Sequence, residues 1–241
     1  MSKHNRWSKV KHKKGPADAK RGKVFTKLSK LITVAVQQGG ADVEMNSSLR
    51  SAIEKAKEWS VPADNIERAV KKGSGAAKEG IRLEHMTYEG FGPGGVAIYV
   101  HALTDNRNRT SANVREAFTK HGGNLGGPGT VAWMFQKKGI IIAKPSGIPK
   151  EDLELKLIDA GVEDLEWEGE ELLVLTSPIV FELVLNILKP FFVQKSELSY
   201  LPQEEKKITS KVQEEEILSL LEILEDDDDV DEVFHNAQFS S

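Results

Sequence analysis

The sequence contains no cysteine and no long apolar run. The missing cysteine excludes disulfide bonds, thiolate nucleophiles and cysteine-ligated zinc or iron–sulfur sites, and it fits a reducing compartment. No stretch approaches the roughly 20 apolar residues that span a bilayer. The N-terminus also lacks the apolar core of a secretory signal. We therefore expect a cytoplasmic protein that does not bind membranes.

The common catalytic and metal-binding motifs are also missing. There is no G-x-S-x-G, P-loop or HExxH pattern. The six histidines show no i, i+4 pair, and the acidic run 226–229 lacks the alternating ligands and central glycine of an EF-hand. We interpret that run as a solvated acidic turn. The sequence thus predicts no metal, no cofactor, no small-molecule substrate and no enzyme activity.

One glycine pattern resembles a dinucleotide fingerprint: Gly90, Gly92 and Gly95 spell G-x-G-x-x-G. That fingerprint needs a helix after it, so that the pyrophosphate meets a helix N-terminus. Here Pro93 intervenes and a strand-like segment follows. We expect a hairpin turn in which glycine supplies positive φ angles.

Positive charge is concentrated at the start of the chain. Residues 1–30 hold eleven Lys and Arg and one acid, Asp18, so the net charge there is eleven minus one, or +10. Cations this dense repel each other unless a polyanion neutralises them. We therefore predict a nucleic-acid-binding surface. Its residues are Lys3, His4, Arg6, Trp7, Lys9, Lys11, His12, Lys13, Lys14, Lys20, Arg21, Lys23, Lys27 and Lys30.

The rest of the chain has the opposite charge. Residues 1–80 hold 18 Lys and Arg and 8 Asp and Glu, which gives +10, whereas the remainder holds 15 and 29, which gives −14. An acidic surface repels nucleic acid. Binding should therefore be confined to the basic end and any face beside it.

Hydrophobic periodicity predicts three helices before a glycine-rich linker at 73–80. Apolar residues recur at spacings of three and four over 17–38, and Gly39-Gly40 ends that helix. Asn46 or Ser47 caps a second helix that reaches about residue 59. Pro62 opens a third helix that ends at Gly73. Together they form a small bundle.

Beyond the linker the periodicity indicates α+β structure. Segments 83–89 and 96–103 form a hairpin, 108–120 is a helix capped by Thr110, and 131–135 is a strand. The order βαββαβ follows over 139–201, which is the ferredoxin-like pattern. A strand near Ile208, a helix over 213–225 and a strand over 230–236 complete the first sheet. We thus predict a basic arm with a helical domain (1–80), a discontinuous α+β domain (81–138 plus 203–241) and an inserted ferredoxin-like domain (139–202).

A polar loop at 104–110 lies between a predicted strand and a helix. It presents Arg107 and Arg109 near a helix N-terminus, a place that binds anions readily. The alternative is a capped turn in which Asp105 or Thr110 satisfies backbone donors and both arginines are solvated. Arg107 and Arg109 are therefore added to the candidate nucleic-acid-binding residues.

Several segments resemble one family in the same order along the chain. They are HNRWSKVKHKKGPADAKRGKVFTKL, YEGFGPGGVAIYV, LTDNRNRTSANVREAFTKHGGNLG, VAWMFQKKG and VFHNAQ. These blocks are similar to the YebC/PmpR family, which includes a mitochondrial translational activator. Two departures stand out: Lys3 replaces the usual glycine, and Gly15-Pro16 stands where helix formers are common.

The resemblance implies an N-terminal helical domain followed by two α+β domains, the second inserted into the first. It also implies a regulator that binds DNA, or a translation factor that binds ribosomal RNA and relieves stalling on the ribosome. No catalysis is attributed to the family. Two alternatives remain from the residues: a protein-interaction scaffold, and an enzyme with an unrecognised site between the α+β domains.

Overall fold

The computed structural model describes residues 21–75 and 83–239. The described chain forms two compact units. One unit is residues 133–204, and the other contains 21–75, 83–132 and 205–239. The described chain as a whole has the helices α1 (Arg21–Gly39), α2 (Ser47–Glu58), α3 (Ala63–Gly73), α4 (Arg107–Lys120), α5 (Lys150–Asp159), α6 (Phe181–Leu188) and α7 (Lys211–Asp226). Its strands are β1 (Glu84–Gly92), β2 (Val96–Thr104), β3 (Asn124–Leu125), β4 (Phe135–Lys144), β5 (Asp164–Glu168), β6 (Glu171–Thr176), β7 (Phe192–Pro202), β8 (Lys206–Ile208), β9 (Val230–His235) and β10 (Ala237–Phe239).

The three N-terminal helices pack around α1. Leu28 and Ile32, one turn apart on α1, are buried against Leu49 of α2 and Ala69 of α3. Asn46 caps α2, since its side-chain oxygen accepts the Leu49 N–H at 3.0 Å. Its amide nitrogen donates to two carbonyls at the end of α1, both at 2.8 Å. The predicted cap of α2 is thus confirmed, and the same side chain joins two helices.

A four-stranded antiparallel sheet in the order β3-β1-β2-β9 forms the centre of the discontinuous domain. Helices α4 and α7 cover one of its faces. Phe118 of α4 and Leu220 of α7 pack there against Ile98 and Val100 of β2, and all four side chains are buried. The strands on both sides of the insertion therefore share one core.

The hairpin predicted from the glycine pattern is present between β1 and β2. A single 3-10 turn, Pro93–Gly95, joins the strands, and β2 follows it directly. Gly94 and Gly95 have φ angles of 67° and 72°, a region that favours glycine because it lacks a Cβ. The segment is a turn, and no helix N-terminus follows it.

Residues 133–204 form the ferredoxin-like unit. Its elements follow the order β4, α5, β5, β6, α6, β7, and its sheet has the antiparallel order β5-β6-β4-β7. Leu153 and Leu157 of α5 and Val184 of α6 are buried against Ile141 of β4. The predicted α+β fold class, with a helical N-terminal part and an inserted domain, is confirmed. The exact domain bounds stay a prediction.

The strand predicted at 131–135 is wrong. Residues Ala132–Met134 form a 3-10 turn, and β4 begins at Phe135. The cause is Glu89, whose carboxylate accepts N–H bonds from Gly129 (2.8 Å), Val131 (2.7 Å) and Ala132 (2.7 Å). Backbone donors bound to a carboxylate cannot join a strand ladder. The buried Glu89 thereby shapes the segment that leads into the insertion.

Candidate nucleic-acid interface

Most of the predicted basic surface precedes the described part of the chain. Residues Lys3, His4, Arg6, Trp7, Lys9, Lys11, His12, Lys13, Lys14 and Lys20 lie outside the described residues. Arg21 is the first residue of α1, and only its backbone is described. Three predicted cations remain on α1, namely Lys23, Lys27 and Lys30.

These three lysines contact one acidic stretch, Glu225–Asp229, which we call the acidic segment. Lys23 Nζ lies 3.1 Å from the Asp226 carboxylate. Lys27 Nζ donates to the Glu225 carbonyl at 2.7 Å. Lys30 Nζ donates to the Asp229 carboxylate at 2.6 Å and to the Asp228 carbonyl at 3.0 Å. The stripe on α1 therefore already has anionic partners within the chain.

The end of α7 explains why that segment attracts cations. The last turn of α7 carries Glu225 and Asp226 and no basic residue. A helix C-terminus is the negative end of the macrodipole, so acids there are unfavourable and cations are favourable. The lysines of α1 supply this countercharge. Burial lowers the pKa of Lys27, an effect partly offset by the nearby carboxylates, with Asp231 the foremost.

Asp229 is the centre of this contact and corrects our interpretation of the acidic run as a solvated turn. It is 3% exposed. Beside Lys30, it accepts bonds from Arg109 Nε at 3.0 Å, Arg109 Nη2 at 2.6 Å and Thr110 Oγ1 at 2.9 Å. Its own carbonyl accepts the Leu103 N–H at 2.7 Å. The carboxylate of Asp229 thus joins α1 to α4, and its backbone carbonyl binds the end of β2.

The charge state of Asp229 follows from these partners. Burial alone would raise its pKa, but hydrogen bonds from Lys30, Arg109 and Thr110 outweigh burial and lower the pKa. The Arg109 guanidinium responds in the opposite sense, since its bonds to Asp229 and then Asp105 raise its pKa. Asp229 is therefore held as a carboxylate between two cations.

The polar loop at 104–110 has a different geometry from either alternative considered above. Asn106 caps α4, since its side-chain oxygen accepts the Arg109 N–H at 3.1 Å. Thr110, predicted as the cap, is instead buried in the first turn and bonds Asp229. The anion held by Arg109 is the chain's own Asp229. Of the two predicted arginines, Arg107 is the more accessible, with its side chain 68% exposed and 3.8 Å from Glu84.

Two family descriptions match this chain in sequence. The TACO1/YebC protein N-terminal domain matches residues 5–76, and the TACO1/YebC second and third domain matches residues 83–237. Together they cover most of the 241 residues. The chain belongs to the TACO1/YebC family. The gap between the two matches, residues 77–82, overlaps the segment predicted as a glycine-rich linker, 73–80.

Relatives of this TACO1/YebC chain match it from end to end. A protein of Geotalea uraniireducens is 49% identical over 242 residues, covering 100% of this chain and 97% of the relative. A protein of Clostridium acetobutylicum is 46% identical, covering 99% and 98%. Both are named probable transcriptional regulatory proteins. The crystal structure of a conserved hypothetical protein from Aquifex aeolicus superposes with a TM-score of 0.81 at 41% identity, covering 98% of this chain and 97% of that one.

Two structural features of this TACO1/YebC chain concern metal binding and membrane insertion. Across residues 21–75 and 83–239, no group of three or more His, Asp or Glu side chains is placed to hold a metal ion. Within the same described ranges, every helix is too short or too polar to cross a membrane. The polar clusters that do occur there, around Asp229 and Glu89, consist of side chains bonded to each other and to the backbone.

Proposed function

We propose that this TACO1/YebC chain is a non-enzymatic regulator of gene expression that binds nucleic acid through its basic N-terminal segment. The observation that carries the proposal is the charge of residues 1–20, which hold seven Lys and Arg and one acid, or +6. The proposed contacts are Lys3, His4, Arg6, Trp7, Lys9, Lys11, His12, Lys13, Lys14, Lys20 and Arg21.

The contacts in the described part of the chain remove two residues from the predicted nucleic-acid-binding surface. Lys30 and Arg109 were predicted to bind phosphates, but both ligate the buried Asp229. Using either for nucleic acid would take one of two cationic partners from a buried carboxylate, which is costly. We therefore assign them a structural role. Arg107, exposed at the start of α4, stays in the proposed interface.

The proposed binding mode is led by the phosphate backbone. Lys and Arg bind phosphates at any sequence, whereas specificity needs contacts to base edges. Affinity should therefore fall steeply with salt, with a log–log slope of about −0.9 per phosphate neutralised on B-DNA and about −0.7 on single strands. The names of the relatives support a transcriptional regulator that binds DNA. Our alternative is a cytoplasmic translation factor that binds ribosomal RNA on the ribosome.

A charge-reversal experiment tests the proposed surface. We expect the variant Lys11→Glu/Lys13→Glu/Lys14→Glu to bind duplex DNA and structured RNA more weakly and with a flatter salt slope. The matched control is Lys137→Glu/Lys156→Glu/Lys189→Glu, which makes the same charge change at exposed positions of the ferredoxin-like unit. Equal loss in both variants would mean that total charge alone governs binding. An unchanged slope in the first variant would support the scaffold alternative instead.

A second experiment distinguishes DNA from RNA. Crosslinking in cells, followed by sequencing of the attached nucleic acid, should recover promoter DNA if the chain regulates transcription. Recovery of ribosomal RNA would identify the translation-factor alternative. Recovery of neither would contradict both forms of the proposal.

A further inference from the structure

The ion pairs between α1 and the acidic segment become more exposed to solvent from Lys30 towards Lys23. At one end, Lys30 and Asp229 form an ion pair with side chains 19% and 4% exposed. At the other end, Lys23 and Asp226 form a pair with side chains 41% and 45% exposed. Exposed pairs contribute little to stability, whereas breaking a buried pair is strongly destabilising. The contact is therefore firm at Lys30 and weak at Lys23.

The weak end is the one that adjoins the basic segment in sequence. Lys23 follows the proposed contacts Lys20 and Arg21 by two or three residues, so any polyanion bound there lies close to Lys23. Lys27, one turn further, has a partner that is a backbone carbonyl rather than a carboxylate. Both ammonium groups can therefore change partners while Lys30 keeps α1 attached to Asp229.

The acidic segment has the charge pattern of a competitor for these lysines. It carries five consecutive carboxylates, Glu225–Asp229, at the negative end of α7. Duplex DNA carries one negative charge per about 1.7 Å of its axis and releases condensed counterions when cations bind it. A nucleic acid can thus replace the exposed part of the segment at Lys23 and Lys27. The cost is one exposed ion pair at Lys23 and one hydrogen bond to a carbonyl at Lys27.

We propose that the acidic segment is an internal competitor of nucleic acid, occupying Lys23 and Lys27 until a bound polyanion displaces it from them. The inference rests on the proposed function, since it describes how the same basic surface is regulated. It makes Lys23 and Lys27 conditional contacts and Lys30 a fixed anchor. A nucleic acid that binds only weakly to the basic segment before Lys23 does not displace the acidic segment, so Lys23 and Lys27 keep their contacts with it.

A pair of matched variants tests the competition. Asp226→Asn/Asp228→Asn removes two exposed charges of the segment and leaves Asp229 in place. Glu215→Gln/Glu216→Gln removes two exposed charges near the other end of α7. An ion pair of about 1 kcal/mol corresponds to about a fivefold change in affinity. In low salt we expect Asp226→Asn/Asp228→Asn to bind a DNA duplex about fivefold more tightly than Glu215→Gln/Glu216→Gln. The difference in affinity should decrease at higher salt, because salt screens the ion pair.

The role of Lys23 gives a second, independent measurement. Lys23→Gln should cost little affinity in the wild-type background, because the lysine is held by Asp226. The same substitution should cost more in the Asp226→Asn/Asp228→Asn background, where Lys23 is released to the nucleic acid. Thermal unfolding of each variant checks that the fold is retained.

The outcomes separate the two proposals. If the wild-type chain binds no DNA or RNA in low salt, the proposed function and the competition both fail. If it binds, but the two charge-removal variants gain equal affinity and Lys23→Gln has the same effect in both backgrounds, the competition is refuted and the proposed function stands. Unequal gains in the expected direction, with a background-dependent effect of Lys23→Gln, support the competition.

Discussion

The Asp229 carboxylate gives the sharpest prediction about stability. Asp229→Asn keeps the shape of the side chain but removes the charge that Lys30 and Arg109 share. Breaking a buried ion pair costs about 3 to 5 kcal/mol. Because Asn retains one acceptor oxygen, we expect a loss near the lower limit, about 3 kcal/mol. The matched control is Asp105→Asn, which removes the other carboxylate on Arg109 at 2.9 Å.

The control differs from the test in burial. The Asp105 side chain is 37% exposed and that of Asp229 is 4% exposed. An exposed pair is worth about 1 kcal/mol or less, so Asp105→Asn should cost far less than Asp229→Asn. The assay is hydrogen exchange at the Leu103 amide, which donates to the Asp229 carbonyl and so reports on this unit. If the Leu103 amide had the same free energy of opening in the two variants, burial would not explain why Asp229 contributes more to stability than Asp105.

The same residue predicts a pH dependence. The lowered pKa of Asp229 means that its ionised form stabilises the fold. This contribution is complete above the unfolded-state pKa of about 3.9 and is lost as the pH falls through the lower folded-state pKa. The difference in stability between the wild type and Asp229→Asn should therefore be constant from about pH 7 to pH 5 and shrink below about pH 4. If the stability difference between the wild type and Asp229→Asn stayed the same below about pH 4, ionised Asp229 would not be the stabilising group.

Two further predictions concern the segments around the insertion. Glu89→Gln places an amide NH2 among the backbone donors of residues 129–132, so we expect a loss of about 1 to 3 kcal/mol and faster exchange of those amides; unchanged exchange would contradict this role. Gly139→Ala forces a methyl group into the ring of Phe181 and should lower stability by about 1 to 3 kcal/mol in thermal unfolding. Gly127→Ala, where a Cβ meets no atom within 4 Å, is the control.

The sequence predicted those parts of the fold that depend on local chemistry. Asn46 or Ser47 was expected to cap α2, and Asn46 does so, because a side-chain oxygen before an apolar helical pattern satisfies orphan N–H groups wherever it occurs. The βαββαβ order was also predictable, because the hydrophobic periodicity and turn residues of each short segment indicate whether it is a strand or a helix. Both features need no information about distant residues.

The role of Asp229 could not be read in the same way. A run of four aspartates is usually a solvated turn, and no local pattern marks one member as buried. Its partners Lys30 and Arg109 are 199 and 120 residues away in sequence. One signal was available: the lysines of α1 recur once per turn, which fits an opposing row of acids as well as a row of phosphates. The sequence alone does not decide between them.

The strand β9 lies beside β2, although more than a hundred residues separate them in the chain. A ribosome adds roughly 5 to 20 residues per second, so the 199 residues between Lys30 and Asp229 take about 10 to 40 s to synthesise at that rate. Throughout that interval the cations of α1 have emerged before their carboxylate has been made. The newborn chain is therefore at its most cationic before it is finished. The acidic segment neutralises the first helix only once the end of α7 has been made, just before β9 is added to the sheet.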